Sequence, residues 1–288
     1  MNSRHECALL TILASPILMI GLLAALNPSP ASGQEKNATA QITNGPLESV
    51  RKAAERGDSV AQYRLAKMYY FGLEVPRDYG ESAIWCRRSA EQGNAWAQLQ
   101  IGWMYAVGKG VREDWAEASQ WYRKAADQGL ADAQKRLGYI YYYGNGLPQN
   151  YGEAARWYLK AAEQGNADAQ EKLGQMYQHG QGVLQDYAEA VRWYREAAEQ
   201  GAESAQSSLA SMYVEGQGVP KDYVQAHMWL NLAARGTTGD FQKELAKYRD
   251  LIGEERLSAE QLKEAQRLAR EWKPRKRLSD SVERDDQR

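Results

Sequence analysis

The chain of 288 residues carries 36 Lys and Arg against 37 Asp and Glu, a formal net charge of −1, which argues against a nucleic-acid partner held by bulk positive charge. Its two cysteines exclude a disulfide-stapled scaffold, and 43% hydrophobic with 25% charged residues describes an ordinary folded protein whose one long apolar run lies at the N-terminus. The aromatic residues are lopsided, 18 Tyr and 9 Trp against 2 Phe, so particular Tyr and Trp positions are being reused.

Residues 1–33 read as a secretory signal: Arg4 in a short polar start, an apolar stretch from Ala8 to Leu26, then Asn27-Pro28-Ser29-Pro30 and the small trio Ala31-Ser32-Gly33, after which cleavage is expected. The apolar stretch is also long enough to span a bilayer, although Ser15-Pro16 interrupts it, so an uncleaved anchor is the alternative. The chain is therefore expected to be exported, periplasmic or secreted, with membrane contact only through that anchor. Cleavage would leave Cys86 as the sole thiol, and stability would have to come from packing. Residues 34–46 are polar, end in Asn44-Gly45-Pro46 and read as a flexible leader. Residues 47–56 match the second half of the repeat described next and read as an N-terminal capping helix.

From Gly57 a period of 36 residues governs the chain, with Gly57, Gly93, Gly129, Gly165 and Gly201 in register. Trp85, Trp121, Trp157, Trp193 and Trp229 keep the same spacing, as do Tyr69, Tyr105, Tyr141, Tyr177 and Tyr213. Five units cover 57–236 and account for most of the aromatic excess. Each unit reads as a helix-turn-helix. In the fourth, Ala169, Leu173, Met176 and Tyr177 define one face of a first helix, and Gly180 and Gly182 then turn the chain. The first unit has Glu74 where the others have the second glycine, so its turn must differ or carry strain. Second helices open with Asp78…Glu81, Asp114…Glu117, Asn150…Glu153, Asp186…Glu189 and Asp222…Gln225, the spacing of a capping box. One such unit cannot bury its apolar face alone, so neighbouring units must stack into an all-α solenoid.

After Gly236 the period is expected to fail. Phe241, Leu245, Tyr248 and Ile252 form one helical stripe, and Ser258…Gln261 caps a further helix bearing Leu262, Ala265, Ala269 and Trp272, so that 237–272 supply C-terminal capping helices. The charged tail 273–288, opening with Lys273-Pro274-Arg275-Lys276-Arg277, is expected to be disordered.

The unit Ala-Asp-Ala-Gln…Leu-Gly-x-Met-Tyr-x-x-Gly-x-Gly-Val…Asp-Tyr-x-Glu-Ala-x-x-Trp-Tyr-x-x-Ala-Ala-Glu-Gln-Gly closely resembles the Sel-1-like repeat, a relative of the tetratricopeptide repeat. The stretch Asp222-Tyr223…Met228-Trp229-Leu230-Asn231-Leu232-Ala233-Ala234 looks like the ending of exported bacterial members. The resemblance implies a right-handed superhelix whose first helices line a concave side, and a protein that serves as adaptor or scaffold for other proteins.

Comparing the five copies separates positions held fixed from positions free to vary. The recurring glycines, Trp and Tyr read as core. One first-helix stripe changes from copy to copy, apolar early and polar later, and its early part supplies the candidate groove: Tyr63, Lys67, Phe71, Trp96, Leu99, Trp103, Lys135, Tyr139 and Tyr143. Aromatic side chains on an open face are interface anchors, so this groove is expected to take a segment of a protein or peptide partner. Packing against the leader or between first helices is the alternative. Asp132, Asp168 and Glu171 would add polar specificity or simply solvate the helices.

No catalytic group, metal or cofactor is indicated. His179 and His227 lack partners at metal-ligand spacing, no Gly-x-Ser-x-Gly elbow or phosphate loop occurs, and Cys86 reads as a buried, inert thiol. The alternative function is penicillin binding or β-lactam hydrolysis, to which some Sel-1-like repeat proteins have been linked. Those proteins carry a cysteine pair in each repeat, which this chain lacks.

Overall fold

The computed structural model describes residues 47–275. The signal or anchor read at 1–33, the leader at 34–46 and the tail from 276 lie outside the described residues. Within them the chain forms thirteen α-helices and no strand, and it divides into two compact units that meet in sequence at Glu113 and Asp114.

The first unit contains α1 (Leu47–Glu55), α2 (Ser59–Phe71), α3 (Tyr79–Glu91) and α4 (Ala95–Val107). The second contains α5 (Trp115–Asp127), α6 (Ala131–Tyr143), α7 (Tyr151–Glu163), α8 (Ala167–His179), α9 (Tyr187–Glu199), α10 (Glu203–Glu215) and α11 (Tyr223–Gly236), followed by α12 (Gly239–Arg256) and α13 (Ala259–Glu271). Helices α2, α4, α6, α8 and α10 are the first helices of the five repeats, and α3, α5, α7, α9 and α11 are the second.

Second helices begin where the Asx residues predict. The carboxylates of Asp78, Asp114, Asp186 and Asp222 and the amide oxygen of Asn150 each accept the N–H of the third helical residue. The expected reciprocal bond is not the rule: Glu153 and Glu189 turn instead to Arg156 and Arg192, one helical turn on. Both halves of a capping box occur at Ser258 and Gln261, which start α13. First helices are capped by Asp58, Asn94 and Asn166, whereas Leu130 and Ala202 occupy the same site with the same backbone geometry and no side-chain bond.

The core is built from the repeated columns. Leu65, Ile101, Leu137, Leu173 and Leu209 are buried, as are Met68, Met104, Ile140, Met176 and Met212. A polar column runs beside them. The side-chain amides of Gln62, Gln98, Gln134, Gln170 and Gln206 donate to the carbonyls of Ala54, Ala90, Ala126, Ala162 and Ala198 at 3.0–3.2 Å. Each of these carbonyls lies near the end of the preceding helix and accepts the backbone N–H of the glycine three residues on at 2.9–3.0 Å, so the buried amide supplies its second donor and ties the next helix to it. Gln92, Gln164 and Gln200 in turn donate to the oxygens of Gln62, Gln134 and Gln170 at 2.7 Å. The Tyr column, half-buried except for the buried Tyr105, is placed for a different reason. Arg51, Arg87, Arg123 and Arg195 donate to the hydroxyls of Tyr69, Tyr105, Tyr141 and Tyr213, so each ring packs inward while its polar end is held at the rim.

The glycine turn explains its own exception. At Gly110, Gly146, Gly182 and Gly218, φ is 71–73°, and a Cβ would come within 1.9–2.4 Å of the backbone where the preceding second helix begins. Glu74 holds the same turn at φ 58°, the one non-glycine residue with positive φ among those described, so the first repeat keeps the geometry and accepts the strain. Its carboxylate accepts the Leu47 N–H at 3.2 Å, at the start of α1.

The period does not fail at Gly236. Gln242 bonds the Ala234 carbonyl as Gln206 bonds Ala198, while Leu245 and Tyr248 fill the Leu209 and Met212 columns, so α12 is a sixth first helix. Helix α13 then packs along α11. Residues 273–275, which the sequence assigns to the tail, follow it. There Arg275 donates its N–H to the Glu199 carbonyl at 2.7 Å and pairs with Glu196 and Glu199.

Candidate functional site

The nine candidate residues fall into two groups, one on each unit. Tyr63, Lys67 and Phe71 lie along α2, and Trp96, Leu99 and Trp103 along α4. Their spacings of three to four residues keep each trio on one helix face. Phe71 and Trp96 are 41% and 45% exposed, and Val60 on the same stripe reaches 55%. Tyr63, Leu99 and Trp103 are half-buried, and the Lys67 ammonium lies 5.5 Å from the Tyr63 ring centre.

Trp103 belongs to a cluster that the repeat comparison missed. Its ring meets Tyr70 edge-on at 5.8 Å, Tyr70 lies 5.3 Å from Tyr79, and Phe71 packs edge-on against Tyr70 at 4.9 Å. The Lys109 ammonium sits among these rings, 4.3 Å from Tyr79, 5.2 Å from Tyr70 and 5.7 Å from Trp103. The hydrogen bond with Lys109 holds the Tyr79 hydroxyl below the usual phenol range. The available signal was the change of Leu73 to Lys109 between copies, set beside Tyr70 and Trp103.

On the second unit, Tyr139 and Tyr143 are half-buried and in contact at 4.5 Å, with Tyr142 and Tyr151 extending the aromatic group. Lys135 pairs with Asp168 at 2.7 Å and reaches Asp132 at 3.8 Å, so these three charges join adjacent first helices α6 and α8. Glu171 lies one turn beyond Asp168. Burial pushes its carboxyl up to about 7, a rise that Lys172 opposes and that Asp168 and Glu203 reinforce. The internal contacts of Tyr139, Tyr143 and Lys135 mean that part of this stripe serves packing.

Chemistry elsewhere is sparse. Cys86 is fully buried, its Sγ donates to the Ala97 carbonyl at 3.2 Å, and burial pushes the thiol far up, which suppresses the thiolate that reacts. Among the described residues no three His, Cys, Asp or Glu side chains group as metal ligands, and no helix is long and apolar enough to cross a membrane.

Repeated helix pairs with a constant core and a variable first-helix stripe define an α-solenoid repeat protein. The chain belongs to the Sel1 repeat family, whose repeat model matches residues 59–94, 97–130, 131–166, 167–201 and 203–237. It is similar in structure to a Sel1 repeat protein from Oxalobacter formigenes, with 29% identity, a TM-score of 0.63, and coverage of 77% of this chain and 96% of that one. It is also similar to c5321, a protective antigen of uropathogenic Escherichia coli with an SLR fold, at 34% identity and a TM-score of 0.51, over 78% of this chain and 55% of that one. A comparison with curated proteins gives no match. Sel1 repeat proteins generally mediate protein–protein interactions, and the all-α repeat is typically a non-catalytic scaffold.

Proposed function

We propose that the protein is an exported, non-enzymatic adaptor of the bacterial envelope that binds a segment of a partner protein on its first-helix stripe. The observation that carries this reading is the exposure of Phe71 and Trp96 beside columns that are otherwise buried. Large aromatic side chains left partly open on a rigid helical frame are suited to seat a partner's apolar residues, because they lose little conformational freedom on contact. Tyr63, Leu99 and Trp103 supply the half-buried floor of that surface, and Lys67 a charge at its edge.

The test is crosslinking capture from the cell envelope with the full chain and with a Phe71→Ala, Trp96→Ala double variant. Both side chains are exposed, so the variant should keep its helical circular dichroism and melting temperature. A partner recovered by the wild type and lost by the variant supports an adaptor using this face. Equal recovery by both removes the stripe from the binding surface.

A further inference from the structure

The C-terminal helices enclose a second feature that the adaptor reading does not use: a cleft of about 500 Å³ between α11, α12 and α13. Each helix contributes a row. Helix α11 presents His227, Asn231 and Arg235, and α13 presents Leu262, Gln266 and Arg270, both at spacings of four residues. The two rows run in the same direction. Arg235 donates to the Ala269 carbonyl at 3.0 Å at one end, while His227 and Leu262 both border Gly253 of α12 at the other. Helix α12 runs the opposite way, since Gln242 bonds Ala234 near its start and Gly253 lies by His227 near its finish.

This arrangement polarises the cleft. Arg235 and Arg270 stand together at one end, about 12 Å along the helix axes from His227 and Leu262. Glu254 stands at the His227 end, with Asp250 one turn inside it and already paired to Arg249 at 2.6 Å. Glu254 and Arg270 have no ion pair among the described residues. The inner wall holds an unmet group as well. His227 is 3% exposed, and its Nδ1 has no hydrogen-bond partner among the described residues, which is costly for a buried polar atom. Its Cδ2 and Nε2 edge faces Gly253, where the missing side chain leaves the imidazole open to the cleft. A turn about the soft χ2 torsion exchanges Nδ1 with Cδ2 and brings it to that edge.

We propose that this cleft binds a short zwitterionic peptide, its carboxylate held by Arg235 and Arg270, its amino group by Glu254, and a backbone amide by His227. An extended tripeptide spans about 10 Å, which fits the separation of the two charged ends once side-chain reach is allowed for. Paired guanidinium groups suit a carboxylate through parallel N–H donors.

The probe is tri-alanine, titrated into the full chain by calorimetry, with N-acetyl-tri-alanine and tri-alanine amide as controls on the same wild-type protein. The expected result is binding of tri-alanine and a loss of at least about tenfold when either terminus is blocked, since each block removes one charge contact. Arg270→Gln should weaken tri-alanine by a similar factor, and Glu254→Gln should weaken tri-alanine while leaving the acetylated peptide unchanged. Both sites are near the surface of the last two helices, and circular dichroism checks their folding. No binding by the wild type, or equal binding of free and blocked peptides, overturns the proposal. Because Phe71 and Trp96 are untouched, neither result bears on the adaptor surface.

Discussion

The side-chain amide of Gln242 donates to the Ala234 carbonyl at 3.0 Å, a bond between residues eight apart that repeats the pairing of Gln206 with Ala198. Helix α12 is thereby held by the same device as every repeat. Replacing Gln134 with an apolar residue removes the second donor to the Ala126 carbonyl, which keeps the Gly129 N–H at 3.0 Å, and takes from the Gln164 amide its acceptor at 2.7 Å, at a cost of about 1 kcal/mol. Gln134→Leu should lower the urea midpoint accordingly. Gln242→Leu should act locally, speeding amide exchange in α12 and α13 more than in α8, and uniform acceleration throughout would refute that local role.

The backbone at Leu130 and Ala202 already has cap geometry, with φ −70° and ψ 111° and 107° against −70° and 108° at Asn166. Ala202→Asn should therefore add a cap bond to α10 without rearrangement and stabilise the protein by about 1 kcal/mol. Asn166→Ala should cost a similar amount. Thermal melts of the two variants read both effects.

The turn glycines answer to backbone contact more than to torsion alone. Gly110→Ala would drive a methyl into the Tyr79 carbonyl, 1.9 Å from the ideal Cβ position, and should destabilise by more than about 2 kcal/mol. Glu74→Gly relieves a strained φ but gives up the bond to Leu47 and loosens the unfolded chain, so its change should stay within about 1 kcal/mol. Chemical denaturation of the pair distinguishes crowding from strain.

Glu171 gives the stability a definite pH dependence. Its carboxyl titrates near 7 in the folded chain and near 4.5 when unfolded, so between those values the folded state binds more protons. Stability attributable to this group is full below about 4.5, falls as pH rises toward 7 and is lost above it. Glu171→Gln should remove that slope and raise the denaturation midpoint at pH 8 relative to pH 5, compared with wild type. An unchanged slope would show that the residue is solvated.

The five helix pairs could be read from the sequence because each signal occurs several times over: the Trp and Tyr columns, the turn glycines and the Asx caps. The sixth first helix escaped notice because α12 keeps the quiet core columns, Gln242 and Leu245, while Thr237 replaces the glycine that marks each earlier unit. The reciprocal capping bonds were expected from spacing, but Arg156 and Arg192 offer Glu153 and Glu189 an opposite charge on the same face. The stripe from Tyr63 to Tyr143 was visible as variation between copies; its division into exposed Phe71 and Trp96 and the packed Tyr139–Tyr143 pair was not, since exposure depends on neighbours brought in by the fold. The cleft beside His227 draws on three helices, the last of them outside the regular period, and no spacing within one segment announces it.

The buried glutamine bonds also bear on how such a chain can change length. The amide of Gln170 reaches back eight residues to Ala162, and Gln200 reaches back thirty to Gln170, so each link is shorter than the 36-residue interval. Duplicating or excising one whole interval leaves every such donor facing an acceptor of the same kind. Inserting a single residue between Gln170 and Gln200 shifts one partner by a third of a helical turn and strands both. Selection acting on this architecture would therefore tolerate gene rearrangements in multiples of the unit and purge those that are not.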